Sequence, residues 1–268
     1  MTAIPICRDD PLVSIVHDMY GANLVRVPDA RVRPLSVVVH RNGRSFFRGS
    51  LLPILEDARP LGVVPEITQL TDIAGRRSRR LTLDLGLQLL RGFLRGLGLP
   101  HAGLEMSMLG AAFLSFAFPS ARRYALDAGA LGRALAGRRV DRGNPAATIF
   151  FEQQPFELLL VDSVLTSQQI AVVLSGARGK RLSLDLVALR QALAEIGGSL
   201  GASSDSAVEL ILQSEHELTF AFTCVQVDLA DDGTIAAIPP DERTRTLSEL
   251  LPAPQQLSHG PGLLVWDG

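Results

Sequence analysis

A chain of 268 residues, 47% of them hydrophobic, is long enough to bury a substantial core as one large domain or two small ones. A formal net charge of −2 argues against a dedicated nucleic-acid binder, and the two cysteines, Cys7 and Cys224, form no CxxC pair, which argues against a disulfide scaffold or a cysteine-built zinc site. Apolar runs fall short of the ~20 residues of a membrane-spanning helix, and the start MTAIPICRDDPL lacks a signal peptide's cationic and apolar regions, so the expectation is a reduced, cytoplasmic, soluble protein.

In chain order, DPLVSIVHDMY reads as a helix, with Asp10 as N-cap, Pro11 at the first helical position and Gly21 closing it. NLVRVP and PLSVVVHRN read as strands broken at PDA, and RNGRS reads as a turn. The chain then says one thing twice: AGRRSRRLTLDL (74–85) resembles SGARGKRLSLDL (175–186) at a constant offset. Each copy runs from a basic, Gly-containing turn into an alternating apolar/polar stretch and then a helical pattern. From Leu81 to Leu89 every odd position is leucine, which predicts a strand with one greasy face, although leucine favours helices. Leu90, Phe93, Leu94 and Leu97 then take helical spacing, as do Leu186, Leu189, Leu193 and Ile196 in the second copy.

Each helix leads through glycines into a long alternating segment. One is GLEMSMLGAAFLSFAF, with Leu104, Met106, Met108, Leu114, Phe116 and Phe118 on one face. The other is SAVELILQSEHELTFAFTC, with Val208, Leu210, Leu212, Leu218, Phe220, Phe222 and Cys224 opposite Glu209, Gln213, Glu215 and Glu217. Such segments run far beyond the ~5–6 residues of a usual strand. One reading is a duplicated unit in an ordinary α+β domain. The other is two amphipathic hairpins, since a membrane-crossing strand needs ~9–11 residues alternating apolar-out and polar-in. On that reading Leu81, Leu83, Leu85, Leu87, Met106, Met108, Leu182, Leu184, Leu210 and Leu212 are the membrane-facing candidates. The basic residues Arg76, Arg77, Arg79, Arg80, Lys180 and Arg181 are either solvated turns or contacts to anionic lipid headgroups. Beyond Leu89 the greasy face changes side, so the first arm must end, bulge or reach the headgroups near Arg91.

The last segment opens with the turn Asp231-Asp232-Gly233, continues as the charged, Pro-rich PPDERTRTLSE, and ends in an apolar tail carrying Leu263, Leu264 and the only tryptophan, Trp266. A linker of this composition is where proteases cut, and an apolar tail beyond it is expected to dock. Elsewhere the five histidines sit in unrelated segments without metal-ligand spacing, SEHEL reads as a solvated edge, and no nucleophile elbow or P-loop is present. Asp84 and Asp185 occupy equivalent repeat positions and read as polar-face strand residues. No enzyme emerges, and the sequence implies no cofactor.

The run YGANLVRVPDARVRPLSVV (20–38), then DIAGRRSRRLTLDLGLQLLRGFLRGLG and the short proline-flanked tail, resembles the bacterial gasdermins over nearly the whole chain. The resemblance implies an α+β fold, a twisted, mostly antiparallel sheet with peripheral helices. It divides the chain into a pore-forming domain, 1–240, and a cleavable linker with an autoinhibitory tail, 241–268. It implies an activating protease, caspase-like or trypsin-like, with cleavage near Asp241, Arg243, Arg245 or Leu247, and a tail that inhibits through Leu250, Leu251, Leu263, Leu264 and Trp266. After cleavage a monomer held in the cytoplasm would become a homo-oligomeric pore in an anionic inner membrane and kill the cell, as defence against phage. Similar members carry an S-palmitoylated cysteine near the N-terminus, to which Cys7 corresponds; the alternative is a plain small apolar residue. Helices at about 86–98 and 186–200 would store the hairpins in the resting state, with the tail from about 247 clamping the sheet. The competing reading is a soluble α+β module holding an apolar ligand or protein partner between sheet and helices.

Overall fold

The structure is a computed structural model that describes residues 22–41, 44–71, 76–77, 80–96, 102–152, 156–177, 182, 184–237, 244–245 and 263–264. Its elements in chain order are β1 (Asn23–Asp29), β2 (Ser36–Arg41), β3 (Arg44–Ser50), β4 (Glu66–Gln69), β5 (Leu81–Thr82), α1 (Leu83–Gly96), α2 (Ala102–Ser107), β6 (Phe113–Ala117), β7 (Arg122–Ala125), α3 (Ala128–Leu135), β8 (Glu157–Ser175), α4 (Leu186–Glu195), β9 (Ser199–Ser203), β10 (Ala207–Leu229), β11 (Ile235–Ala237), β12 (Thr244–Arg245) and β13 (Leu263–Leu264). A mostly antiparallel sheet with a few helices gives the α+β class that the sequence implied.

Two long strands form the spine. β8, of 19 residues, and β10, of 23, pair antiparallel from Ala207↔Ser175 at one end to Val227↔Leu158 at the other. Shorter strands line both outer edges. Along β8 lie β2 (opposite residues 157–160), β7 (163–166) and β6 (171–175). Along β10 lie β9 (208–211), β1 (219–222), β12 (224–225) and β11 (228–229). β3, β4 and β5 add to β2, β7 and β6, all antiparallel, whereas β13 joins β1 in parallel. We call the end of the spine near residues 170–175 and 207–213 distal, and the other end basal.

β8 is buried almost throughout because both of its faces are covered, as in a central rather than a surface strand. On one distal face α1, α2 and α4 pack against β6, β8 and β10 around Leu90, Leu94, Leu174, Leu193 and Leu210. At the basal end α3 closes a second cluster, setting Leu131 and Leu135 against Leu158, Leu160, Val225 and Val227. Asp127 caps α3 by accepting the Ala130 amide at 2.6 Å. A third cluster gathers Val25, Val38, Leu159 and Phe222.

Several sequence expectations hold and several do not. NLVRVP and SVVVHR are strands, β1 running on through Pro28 to Asp29, and Arg41 pairs with Arg44, while Asn42 and Gly43 of the expected turn lie outside the described residues. The odd-leucine run is not a strand in this state: only Leu81 and Thr82 are extended, and the helix starts at Leu83. Leu83, Leu87, Leu90 and Leu94 also satisfy helical i, i+4, i+7, i+11 spacing, so leucine's own preference and the core contact decide. GLEMSMLGAAFLSFAF is likewise not one strand but α2, a turn and β6. Of LSLDL, the described residues Leu182 and Leu184 are not in a strand, Asp185 caps α4 and Leu186 opens it. The N-terminal helix expected around Asp10–Gly21 lies outside the described residues.

Candidate membrane-active segments and the tail contact

α1 is held on the sheet by its apolar stripe. Leu87, Leu90, Phe93 and Leu94 are buried, and the Phe93 ring meets Phe116 and Phe118 edge-on at 5.0 and 5.8 Å. Phe118 stacks on Phe220 of β10 at 4.1 Å, so the rings tie α1 to the spine. Gly86 is what allows the approach: a Cβ there would lie 2.6 Å from the Leu114 Cβ. Asp84 sits in the first helical turn, where a carboxylate favours the helix dipole, rather than on a strand's polar face.

α2 divides its two methionines. Met108, just past its end, is fully buried, whereas Met106 is 69% exposed. Arg91 of α1 donates from Nε and Nη2 to the two Glu105 oxygens at 2.7 and 2.8 Å, a bidentate pair joining the two helices, and that contact raises the Arg91 pKa.

α4 opens on Asp185, whose Oδ1 accepts the Val187 and Ala188 amides at 3.0 Å each. The carboxylate is therefore an N-cap, two positions out of step with Asp84 relative to its helix. Leu189 and Leu193 are buried, Leu182 and Leu184 pack partly buried against the same cluster, and Val187 stands 68% exposed. Gly198 fits closely behind α4, where a Cβ would meet the Leu193 Cδ2 at 2.9 Å.

Leu210 and Leu212 are buried beneath these helices, and Leu81 and Leu83 pack partly buried against the same cluster. Of the ten membrane-facing candidates the structure thus gathers most around one distal core; Leu85 lies in α1 with its side chain outside the described residues. Among the basic candidates Arg76, Arg77 and Arg80 are exposed, and Arg77 Nη2 donates to Glu209 Oε1 at 2.8 Å. Arg79, Lys180 and Arg181 lie outside the described residues.

The long alternation of β10 is broken in a way its sequence hid. Between Gln213↔Gln169 and Leu218↔Ser167, β10 advances five positions while β8 advances two, so Ser214 to Glu217 bulge out of the ladder. Ser214 Oγ accepts the His216 amide at 3.1 Å, and Glu217 folds back to accept from Arg122 Nη1 at 2.8 Å and Thr166 Oγ1 at 3.0 Å. The expected single face is divided further along: Leu210, Leu212 and Phe220, on either side of this bulge, belong to the helix-covered cluster, and past the next register shift, between Thr219 and Ala221, Phe222 and Cys224 belong to another.

A second irregularity places Asp162. Thr223 pairs with Ser163 and Cys224 with Val161, leaving Asp162 as the extra residue of β8. The Thr223 hydroxyl donates to its Oδ1 at 2.7 Å; burial raises the Asp162 pKa, while Thr223 and the nearby Arg123 oppose the rise. The sequence shows no sign of Asp162, Thr223 or Arg122 and presents Glu217 as a solvated polar-face residue, because their partners lie tens of residues away and carry no local motif.

At the tail, Leu263 and Leu264 pair with Leu24 and Val25, and Thr244 and Arg245 pair with Val225 and Cys224. Both contacts lie on the β10 side of the spine. Asp241, Arg243, Leu247, Leu250, Leu251, Trp266 and the N-terminal Cys7 lie outside the described residues. Among the described residues no His, Cys, Asp or Glu cluster is arranged to hold a metal, and no helix is long and apolar enough to cross a membrane. A cavity of about 330 Å³ opens beside Val32, Tyr124, Thr166 and Glu217.

The fold and sequence both have relatives. The structure aligns with a bacterial gasdermin from Bradyrhizobium tropiciagri at a TM-score of 0.61 and 12% identity, covering 99% of each chain. The sequence is 29% identical over 231 residues to gasdermin bGSDM of Lysobacter enzymogenes, covering 85% of this chain and 83% of that one. It is 24% identical to gasdermin bGSDM of a Vitiosangium species, over 97% and 98% of the two chains. Residues 25–234, from the β1 edge to the turn before β11, match the model of the Bacterial Gasdermin Family, and the chain belongs to that family, whose members are pore-forming effectors rather than enzymes.

Proposed function

We propose that the chain is an autoinhibited pore former, released when a protease cuts its C-terminal linker. The observation that carries this reading is the tail strand: Leu263–Leu264 forms the outermost strand beside β1, and β12 lies on the same side of β10. While attached, such a tail acts at an effective concentration of order mM. Once the linker is cut near Asp241, Arg243, Arg245 or Leu247, by a caspase-like or trypsin-like enzyme, the peptide binds only at its cellular concentration and leaves. α1 and α4 then come off the sheet, and the segments around 81–118 and 170–212 extend as amphipathic hairpins. Neighbouring subunits pair edge to edge, because the bilayer interior tolerates no unpaired strand. The setting of this reading is a cytoplasmic monomer that becomes an oligomer in the anionic inner membrane, permeabilises it and kills the cell as defence against phage. Arg76, Arg77, Arg79, Arg80, Lys180 and Arg181 would meet headgroups at ~1 kcal/mol each. A palmitoyl chain on Cys7 would add a membrane-binding increment too small to anchor the protein alone.

Dye release from vesicles containing anionic lipid tests the reading. Protein lacking residues 247–268 is expected to empty them while the full chain leaves them sealed; a truncated protein that leaves them sealed would end the proposal. Leu83→Asp in the truncated protein is expected to abolish release, because that position is partly exposed at rest and lipid-facing in the hairpin. Intact mass in the producing cell, with Cys7→Ala as reference, reads the acyl chain directly.

A further inference from the structure

Two short ladders run directly into the segments that the pore reading sets in motion. Leu81 pairs with Leu114 and Thr82 with Phe113, and the Leu83 amide donates to the Ala112 carbonyl at 3.0 Å, so the β5–β6 ladder already reaches the first residue of α1. In the second unit β8 and β10 pair without a register shift from Gln213↔Gln169 to Ala207↔Ser175, and the Gly176 amide donates to the Ser206 carbonyl at 3.1 Å.

We infer that these ladders set the strand register of the two membrane hairpins; the inference rests on the pore-forming function proposed above. Carried forward, the first pairs Leu85 with Gly110, Leu87 with Met108 and Leu89 with Met106. The second pairs Leu182 with Leu200, Leu184 with Gly198 and Leu186 with Ile196. Extending an existing ladder adds one pair at a time, without the loop-closure cost of starting a new one. A slip of one residue would turn every side chain to the opposite face.

Side-chain chemistry agrees with the parity of this register. In the first hairpin it sets the odd leucines against Ala112, Gly110, Met108 and Met106, while Thr82, Asp84 and Gln88 fall on the other face. In the second, Leu182 and Leu184 share a face with Leu210 and Leu212. All ten positions singled out in the sequence as membrane-facing land on the apolar side of their hairpin. Leu81 to Leu89 spans roughly 26 Å at ~3.3 Å per residue, close to the ~30 Å hydrocarbon core. Arg91 comes one step later, at the end of the apolar stripe.

A competing ladder exists. β4 and β7 pair Glu66 with Ala125 through Gln69 with Arg122, and that register carried forward would set Leu87 against Leu104 instead of Met108. Both registers have the same parity, so face composition cannot separate them; contiguity with α1 favours β5–β6. In the second unit two resting contacts have to break: the Leu182 amide to the Asp205 carbonyl at 2.9 Å, and β9 on the outer edge of β10, where Leu200 pairs with Leu210.

Paired cysteines read the register in the truncated protein. Val187 and Glu195 are both exposed on α4, eight positions and therefore roughly 12 Å apart along the helix, but directly opposed in the inferred hairpin at ~5 Å between Cβ atoms. With Val187→Cys/Glu195→Cys, mild oxidation should crosslink the pair several-fold more in leaking vesicles than in solution, with the linked peptides identified by mass spectrometry. Leu186→Cys/Ala194→Cys reports a two-residue slip and should stay largely unlinked. In the first hairpin Leu89→Cys/Met106→Cys should link in vesicles in preference to Leu89→Cys/Ala102→Cys, which reports the β4–β7 register. Vesicles that leak while only the slipped pairs link would overturn the register and leave the pore function standing. Truncated protein that does not leak would overturn both.

Discussion

α1 and α4 follow the two copies of one sequence motif and cover the same face of the sheet, yet they are held there differently. α1 has 14 residues, buries four large side chains and is locked by a ring cluster reaching across to Phe220. α4 has 10, buries Leu189 and Leu193, and leaves Leu186 and Val187 largely to solvent. Besides this packing, α4 is fixed at its start by the Asp185 cap. A duplicated motif has thus produced one deeply seated helix and one shallow one, and the shallow one is expected to leave first.

The largest expected effect tests the deep side. Phe93→Ala removes the ring that joins Phe116 and Phe118 and should cost about 3–5 kcal/mol in denaturant unfolding. A cost below ~1 kcal/mol would mean that the ring cluster does not hold α1. The shallow side is tested by Asp185→Ala, expected to cost about 1 kcal/mol and to raise amide exchange in α4 well before α1. Equal exchange in both helices would erase the contrast. The smallest effect lies in the basal sheet, where neither helix reaches. Asp162 has a folded pKa above its unfolded value, so the folded state binds the extra proton, and stability falls as pH rises from the ordinary carboxylate range through the raised folded value. Asp162→Asn keeps an acceptor for Thr223 and should flatten that slope, raising Tm at pH 8 relative to pH 5 without changing helix exchange; an unaltered pH profile would show that the carboxylate is not its source.

Much of this was legible in the sequence, and the failures have physical causes. The helical spacing around Phe93 and Leu193 placed both helices, and the alternation of 207–224 placed most of β10. The odd leucines from 81 to 89 were read as a strand because a period of two and a set of i, i+4 pairs coexist in the same letters; tertiary packing chose between them. Met106 and Met108 were separated for the same reason, one pointing out from a helix and the other turned in just beyond it. Asp185 reads in the sequence as a strand's polar face because a cap is recognisable only once a helix start is assigned. The Ser214–Glu217 bulge and the Asp162–Thr223 contact depend on the partner strand, which no local pattern reveals.

The bulge also has a mechanical consequence. Between Gln213 and Ala221 β10 gains four positions over β8 in two adjacent register shifts, so the ladder is interrupted there and the two ends of the spine do not form one continuous corrugated plate. If the distal end is rebuilt as proposed, the basal pairing beyond this joint can keep its seams intact.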